Sequence, residues 1–105
     1  MSINELQQKI DSEAAIMVYF QNDLCSPCVS LRPKVEALLA SDFPKMDLVF
    51  IDSFENPTLT AHFGVFAHPT LLVFLEGKEY IRSSKYVSTS ELKSKIERPY
   101  HLLFD

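Results

Sequence analysis

The sequence predicts an α/β domain, a central mixed sheet with helices on both faces. Two apolar runs, Ala14–Phe20 and Met46–Asp52, flank a long helical pattern, which is the signature of a parallel strand–helix–strand crossover. A third run, Leu71–Leu75, leads through the tight turn Glu76-Gly77-Lys78 into a more polar strand, Glu79–Ser84. That pair reads as an antiparallel hairpin with one edge. A chain of 105 residues with 47% hydrophobic content is long and apolar enough for one independent core, so a single domain over 1–105 is expected.

The elements follow in order. Ser2-Ile3-Asn4-Glu5 has capping-box spacing, and Ile3, Leu6 and Ile10 mark the apolar stripe of a first short helix. Ala14 to Phe20 is too uniformly apolar to be half exposed and is expected as a central strand buried on both faces. Gln21 to Leu24 is a loop, and a helix then runs to about Ala40, bent by the internal Pro33. Ser41 to Lys45 reads as a turn and Met46 to Asp52 as a second buried strand. Asn56-Pro57 opens a short helix with proline in the favoured first position, and Gly64 ends it after His62. After the hairpin, Ser88-Thr89-Ser90-Glu91 is another capping box, starting a last helix that Pro99 is expected to stop. The remaining tail, 99–105, is apolar enough to dock on its own domain or on a second copy.

Chemistry concentrates in Asp23-Leu24-Cys25-Ser26-Pro27-Cys28, which holds both cysteines of the chain. Residues three apart face each other across one helical turn, so the two sulfurs can close a small disulfide. Cys25, at the helix entrance, meets the positive end of the helix dipole, which favours a thiolate. Cys28, Leu31, Val35, Leu38 and Leu39 share the face that packs on the sheet. Cys28 is therefore expected buried and Cys25 accessible: one thiol to attack, one held back to resolve. Asp23 is read either as a turn residue or as a charge opposing Cys25 ionisation.

These residues resemble the thioredoxin family. Cys25-Ser26-Pro27-Cys28 is similar to its active-site tetrad, with serine in place of the usual glycine. Pro33 matches the proline that bends the active-site helix, Asn56-Pro57 the opening of the following helix, and His68-Pro69-Thr70 the segment whose proline is cis beside the cysteines. The likeness covers roughly residues 12 to 97. It implies a thioredoxin fold and a thiol-disulfide oxidoreductase, with Cys25 as nucleophile and Cys28 as resolving thiol. The implied partners are a protein disulfide substrate and a recycling reductase, and no cofactor or metal is implied. Leu24, Pro27, Phe66, His68 and Pro69 are the expected substrate-binding and tuning residues.

The chain departs from the pattern in places. Leu24 stands where a tryptophan is usual, and Tyr19 where a buried aspartate shuttles the proton of the resolving thiol. Phe50 takes the place of that aspartate's lysine partner; the two changes belong together, because a lone buried charge is costly. Ser83-Ser84-Lys85-Tyr86 lacks the usual glycine at the docking loop. His68 is read in two ways: as an imidazolium that stabilises the thiolate, or as a side chain turned to solvent. His62 and His101 are read as solvated.

Other function classes fare less well. A formal net charge of −4 without any Lys/Arg cluster excludes nucleic acid as the expected partner. Apolar runs of about seven residues fall far short of a membrane span of about 20, and Met1 to Ile10 lacks signal-peptide patterning. No membrane association, a cytoplasmic location and a monomer are expected. Two cysteines plus His68 give three ligands, short of the four of a closed zinc site, and an iron–sulfur cluster needs four thiolates. The remaining alternative is a binding or adaptor module of the same fold with little redox turnover, docking partners on the apolar rim around the cysteines.

Overall fold

The computed structural model describes residues 1–22, 24–84 and 86–105; the expectations for Asp23 and Lys85 lie outside them. The element order is α1 (Ile3–Ser12), β1 (Ala15–Gln21), α2 (Ser26–Asp42), β2 (Asp47–Asp52), α3 (Pro57–His62), β3 (Thr70–Leu75), β4 (Lys78–Ser84) and α4 (Thr89–Phe104). Among the described residues the strands form one sheet in the order β2-β1-β3-β4. β1 and β2 are parallel, with Val18 opposite Val49, and the pairs β1/β3 and β3/β4 are antiparallel. This is the mixed sheet expected from the sequence.

Strand alternation divides the core. Ala15, Met17 and Tyr19 of β1, with Leu71 and Val73 of β3, pack against α2 and α4. Ile16, Val18 and Phe20, with Leu72 and Phe74, pack against α1 and α3. Every residue of β1 except the last is buried, as its unbroken apolar run requires.

Local chemistry sets the boundaries. Ser2 and Glu5 close a reciprocal capping box at the start of α1. Gly64 ends the α3 segment with φ +68°, a left-handed conformation that suits glycine. Glu76 and Gly77 both have positive φ, the two-residue hairpin geometry whose twist matches that of the strands. Arg82 of β4 pairs with Glu79 and donates to the carbonyls of Phe63 and Gly64, tying the loop after α3 to the sheet.

Three expectations need correction. β2 is an edge strand, not a second buried one: only Ile51 is buried, and no described strand lies outside it. Helix α2 continues through Ser41 and Asp42 before turning at Phe43, whose N–H donates to the Leu39 carbonyl. Pro99 does not stop the last helix. α4 runs on to Phe104, because Tyr100 is buried and Leu103 and Phe104 pack on the α2 side of the core, while the Tyr100 hydroxyl accepts the Lys45 N–H at 2.9 Å. The 99–105 segment is thus the last turns of α4 docked on the domain. Its Ser88 cap accepts the Glu91 N–H, and exposed His101 pairs with Asp105 at 2.9 Å. Among the described residues no helix is long and apolar enough to cross a membrane.

Candidate active site

The loop after β1 delivers the cysteines. Asn22 shapes it: its side-chain oxygen accepts the Leu24 N–H at 3.0 Å and its carbonyl accepts the Cys25 N–H at 3.1 Å. An asparagine bonding a backbone N–H two residues on is an Asx turn, a signal readable from sequence but passed over there. Cys25 is the N-cap of α2, and Pro27 sits in the first turn, where its missing N–H costs nothing.

Cys25 Sγ accepts the backbone N–H of Cys28 at 3.1 Å. A sulfur at an N-cap replaces the oxygen of the usual capping residues, and it gains most when it carries negative charge. The two cysteines are joined in a disulfide with their Cα atoms 5.2 Å apart. Cys28 is 1% exposed while Cys25 is half-buried, so Cys25 is the more accessible of the two. Cys28, Leu31, Val35 and Leu39 form the buried face of α2; Leu38 lies at its margin.

Beneath the dithiol, Tyr19 and Phe50 are register partners on β1 and β2, with ring centroids 5.3 Å apart. Arg32 lies over the outer face of Phe50, 3.8 Å from the centroid. The tyrosine hydroxyl donates to the Cys28 carbonyl at 2.7 Å, anchoring the first turn of α2 from below. Burial pushes the Tyr19 hydroxyl up to about 12 despite the nearby Arg32 charge, so it stays protonated at neutral pH. An acid–base pair is thus replaced by an aromatic pair with one committed donor.

The His68–Pro69 peptide is cis, and the Thr70 hydroxyl donates to the Ala67 carbonyl across it. Pro69 is buried at the start of β3. His68 is half-buried, and its Nε2 lies 2.7 Å from the Ser53 hydroxyl. Burial holds its imidazole below the usual range in this disulfide form, against the opposite pull of Asp52. Ser53 lies fifteen positions away, and no spacing rule points to it. Leu24 and Phe66 are 82% and 85% exposed, and Pro27 is also exposed.

The family model described as Thioredoxin matches residues 1–98. The chain belongs to the thioredoxin family. Its curated relatives include the thioredoxin-like protein YdfQ of Bacillus subtilis, 27% identical over 96% of this chain and 89% of that one. Solved structures of thioredoxins superpose on it. A mutant thioredoxin from Halobacterium salinarum gives a TM-score of 0.79 at 30% identity, covering 90% of this chain and 81% of that one. Thioredoxin 1 of Thermosipho africanus gives 0.76 at 31%, covering 86% and 99%. Family membership together with the Cys25–Cys28 pair makes this chain a protein thiol-disulfide oxidoreductase. Thioredoxins act on protein disulfides and are recycled by a reductase.

Proposed function

We propose that Cys25 is the nucleophile and Cys28 the resolving thiol of a monomeric, cytoplasmic oxidoreductase. In the reduced form the Cys25 thiolate attacks one sulfur of a substrate disulfide, forming a mixed disulfide and releasing the other sulfur as a thiolate. The Cys28 thiolate then attacks Cys25 Sγ, forming the internal disulfide and releasing the second substrate thiol. Two electrons pass from the dithiol to the substrate, and a reductase returns them. The observation that carries these roles is the burial difference: Cys28 is 1% exposed, while Cys25 is reachable at the helix mouth with a backbone N–H on its sulfur.

Leu24, Pro27 and Phe66 form the exposed apolar rim on which a substrate segment docks, with Pro69 beneath it and His68 beside it. The backbone flanking Pro69 pairs with an extended substrate strand. A cytoplasmic location fits a chain whose whole cysteine complement is one CxxC pair. Cys25→Ser is expected to abolish reduction of a protein disulfide. Cys28→Ser is expected to trap a mixed disulfide at Cys25, read as a mass increase reversed by dithiothreitol. Native-like turnover by Cys25→Ser would end this assignment.

A further inference from the structure

We propose that the groove between β4 and α4 binds an extended acidic segment of a partner protein, which adds to the sheet as a further strand on β4. This surface is separate from the dithiol and involves no redox step. Strand register places Ser84 beside Thr70 and Thr70 beside Phe20, so the end of β4 lies nearest the cysteines and the groove, at Tyr80 to Arg82, lies farther along the edge.

The groove encloses about 820 Å³. Lys95, Arg98 and Leu102 stand at i, i+3 and i+7 of α4 and share one face of it, while Tyr80 and Arg82 of β4 form the other wall. Tyr80 is 56% exposed and Leu102 75% exposed, so two large side chains stand in water along one groove and gain by being covered. The charge here is one-sided. In a chain of net charge −4, three cations line the groove and, among the described residues, no Asp or Glu does. Arg82 is paired with Glu79, whereas exposed Lys95 and Arg98 take part in no ion pair among the described residues. Two cations left without a counter-charge are the complement of two carboxylates.

Backbone groups make the occupant a polypeptide rather than a small anion. β4 is an edge strand, with no described strand outside it. At the opposite edge the Asp47 carboxylate accepts the Leu48 N–H of β2, and the Asp52 carboxylate accepts the Phe54 N–H just beyond it. Among the described residues no side chain bonds the backbone of Lys78–Ser84, so β4 offers an uncapped row of donors and acceptors to an incoming strand. On the helix wall Pro99 has no N–H, which leaves the Lys95 carbonyl without its helical donor. That carbonyl suits a peptide N–H and has nothing to offer a phosphate. Alternate residues of a strand point the same way about 7 Å apart, and residues three apart on a helix are about 5–6 Å apart at Cβ. Two glutamates or aspartates separated by one residue therefore fall within reach of Lys95 and Arg98, whose long side chains absorb the difference.

The test uses cysteine-free synthetic peptides in which glutamate alternates with threonine on either side of one leucine, with glutamine versions as controls. Fluorescence anisotropy of the end-labelled peptides, at low ionic strength with the full chain in its disulfide form, gives the Kd. The glutamate peptide is expected to bind about tenfold more tightly than the glutamine peptide, the worth of two exposed ion pairs. In the amide NMR spectrum of the native chain the changes are expected at residues 78–84 and 94–102, with slowed hydrogen exchange along β4. Lys95→Glu combined with Arg98→Glu changes two exposed residues and is expected to remove the tenfold preference. No preference for glutamate in the native chain would overturn the proposal, as would a preference that survives the double variant or amide changes centred on the dithiol. Inorganic polyphosphate that displaces the peptide at equal charge concentration would overturn the added strand, since polyphosphate forms none. A dimer seen by sedimentation and abolished in the double variant would also overturn it, because the occupant would then be a second copy.

Discussion

Tyr19 and Phe20 are consecutive residues of β1 that point to opposite faces of the same sheet, and the two faces are built differently. On the α2/α4 face the core contains hydroxyls and a thiol-derived sulfur: Tyr19 donates to the Cys28 carbonyl, Tyr100 accepts the Lys45 N–H, and Cys28 itself lies among leucines and valines. On the α1/α3 face the apolar cluster is hydrocarbon, with Phe20 flanked by Ile16, Val18, Leu72 and Phe74, and the buried hydroxyls of Thr60 and Thr70 donate to the nearby Asn56 and Ala67 carbonyls. Half-buried Ser53 and His68 pair on this side as well. One face carries the dithiol, and the other holds the strand in place chiefly by hydrocarbon packing. Separating the two lets the reactive turn of α2 be anchored specifically without weakening the support beneath it.

The largest expected effect breaks the packing face. Phe20 is among the largest fully buried side chains, and Phe20→Ala deletes a ring from a site with little room to collapse. A loss of about 3–5 kcal/mol is expected in urea denaturation. Turnover per folded molecule is expected to stay native, since Phe20 points away from the sulfurs. A fall in that specific turnover would show that the faces are not separable.

How much of this division was legible in the sequence depends on the kind of signal. The unbroken apolar run of β1 announced burial on both faces, and the cysteine spacing at a helix entrance announced one cysteine more accessible than the other, because both are local patterns. β2 misled for the same reason: Leu48, Val49, Phe50 and Ile51 look as apolar as β1, but strand order decides that β2 is an edge, and no local pattern encodes it. Its apolar density is instead used against Tyr19 and Arg32. Pro99 misled because the local rule for proline was overridden by packing, with Tyr100, Leu103 and Phe104 docking on the domain. The Ser53 partner of His68 was invisible, since a contact fifteen residues apart follows only from the fold.

A smaller effect sharpens the chemical face. Tyr19→Phe keeps the ring against Phe50 and removes only the hydroxyl that holds the Cys28 carbonyl. Stability is expected to fall by about 1 kcal/mol, the usual worth of one buried hydrogen bond. Decay of the mixed disulfide is expected to slow as well, because the first turn of α2 loses the anchor that orients Cys28. Rapid-quench measurement of that decay checks the second part. An unchanged rate alongside the lost stability would make Tyr19 a packing residue only, and the contrast between the faces would narrow to composition.

The smallest effect tests the rim of the packing face. The His68 imidazole is held below its ordinary value of 6.5 by burial, so the unfolded chain takes up this proton at a higher pH than the folded one. Protons are then bound more by the unfolded state, and stability must rise with pH across that interval. The contribution of His68 is thus fully present above about pH 6.5 and is lost as pH falls from there towards the folded value. Carboxylates held low by their partners, such as Glu79 beside Arg82, begin to lose their contribution only below the ordinary 4.5, so the His68 loss begins first as pH falls. Denaturation midpoints measured downward from neutral pH are expected to decline in the native chain and to decline less in His68→Gln, which has no proton to bind. Because the ring is only half-buried, the difference is expected to be smaller than the loss in Tyr19→Phe. Identical pH profiles for the two chains would mean that the Ser53–His68 pair contributes nothing coupled to protonation, leaving the α1/α3 face governed by hydrocarbon packing out to its edge.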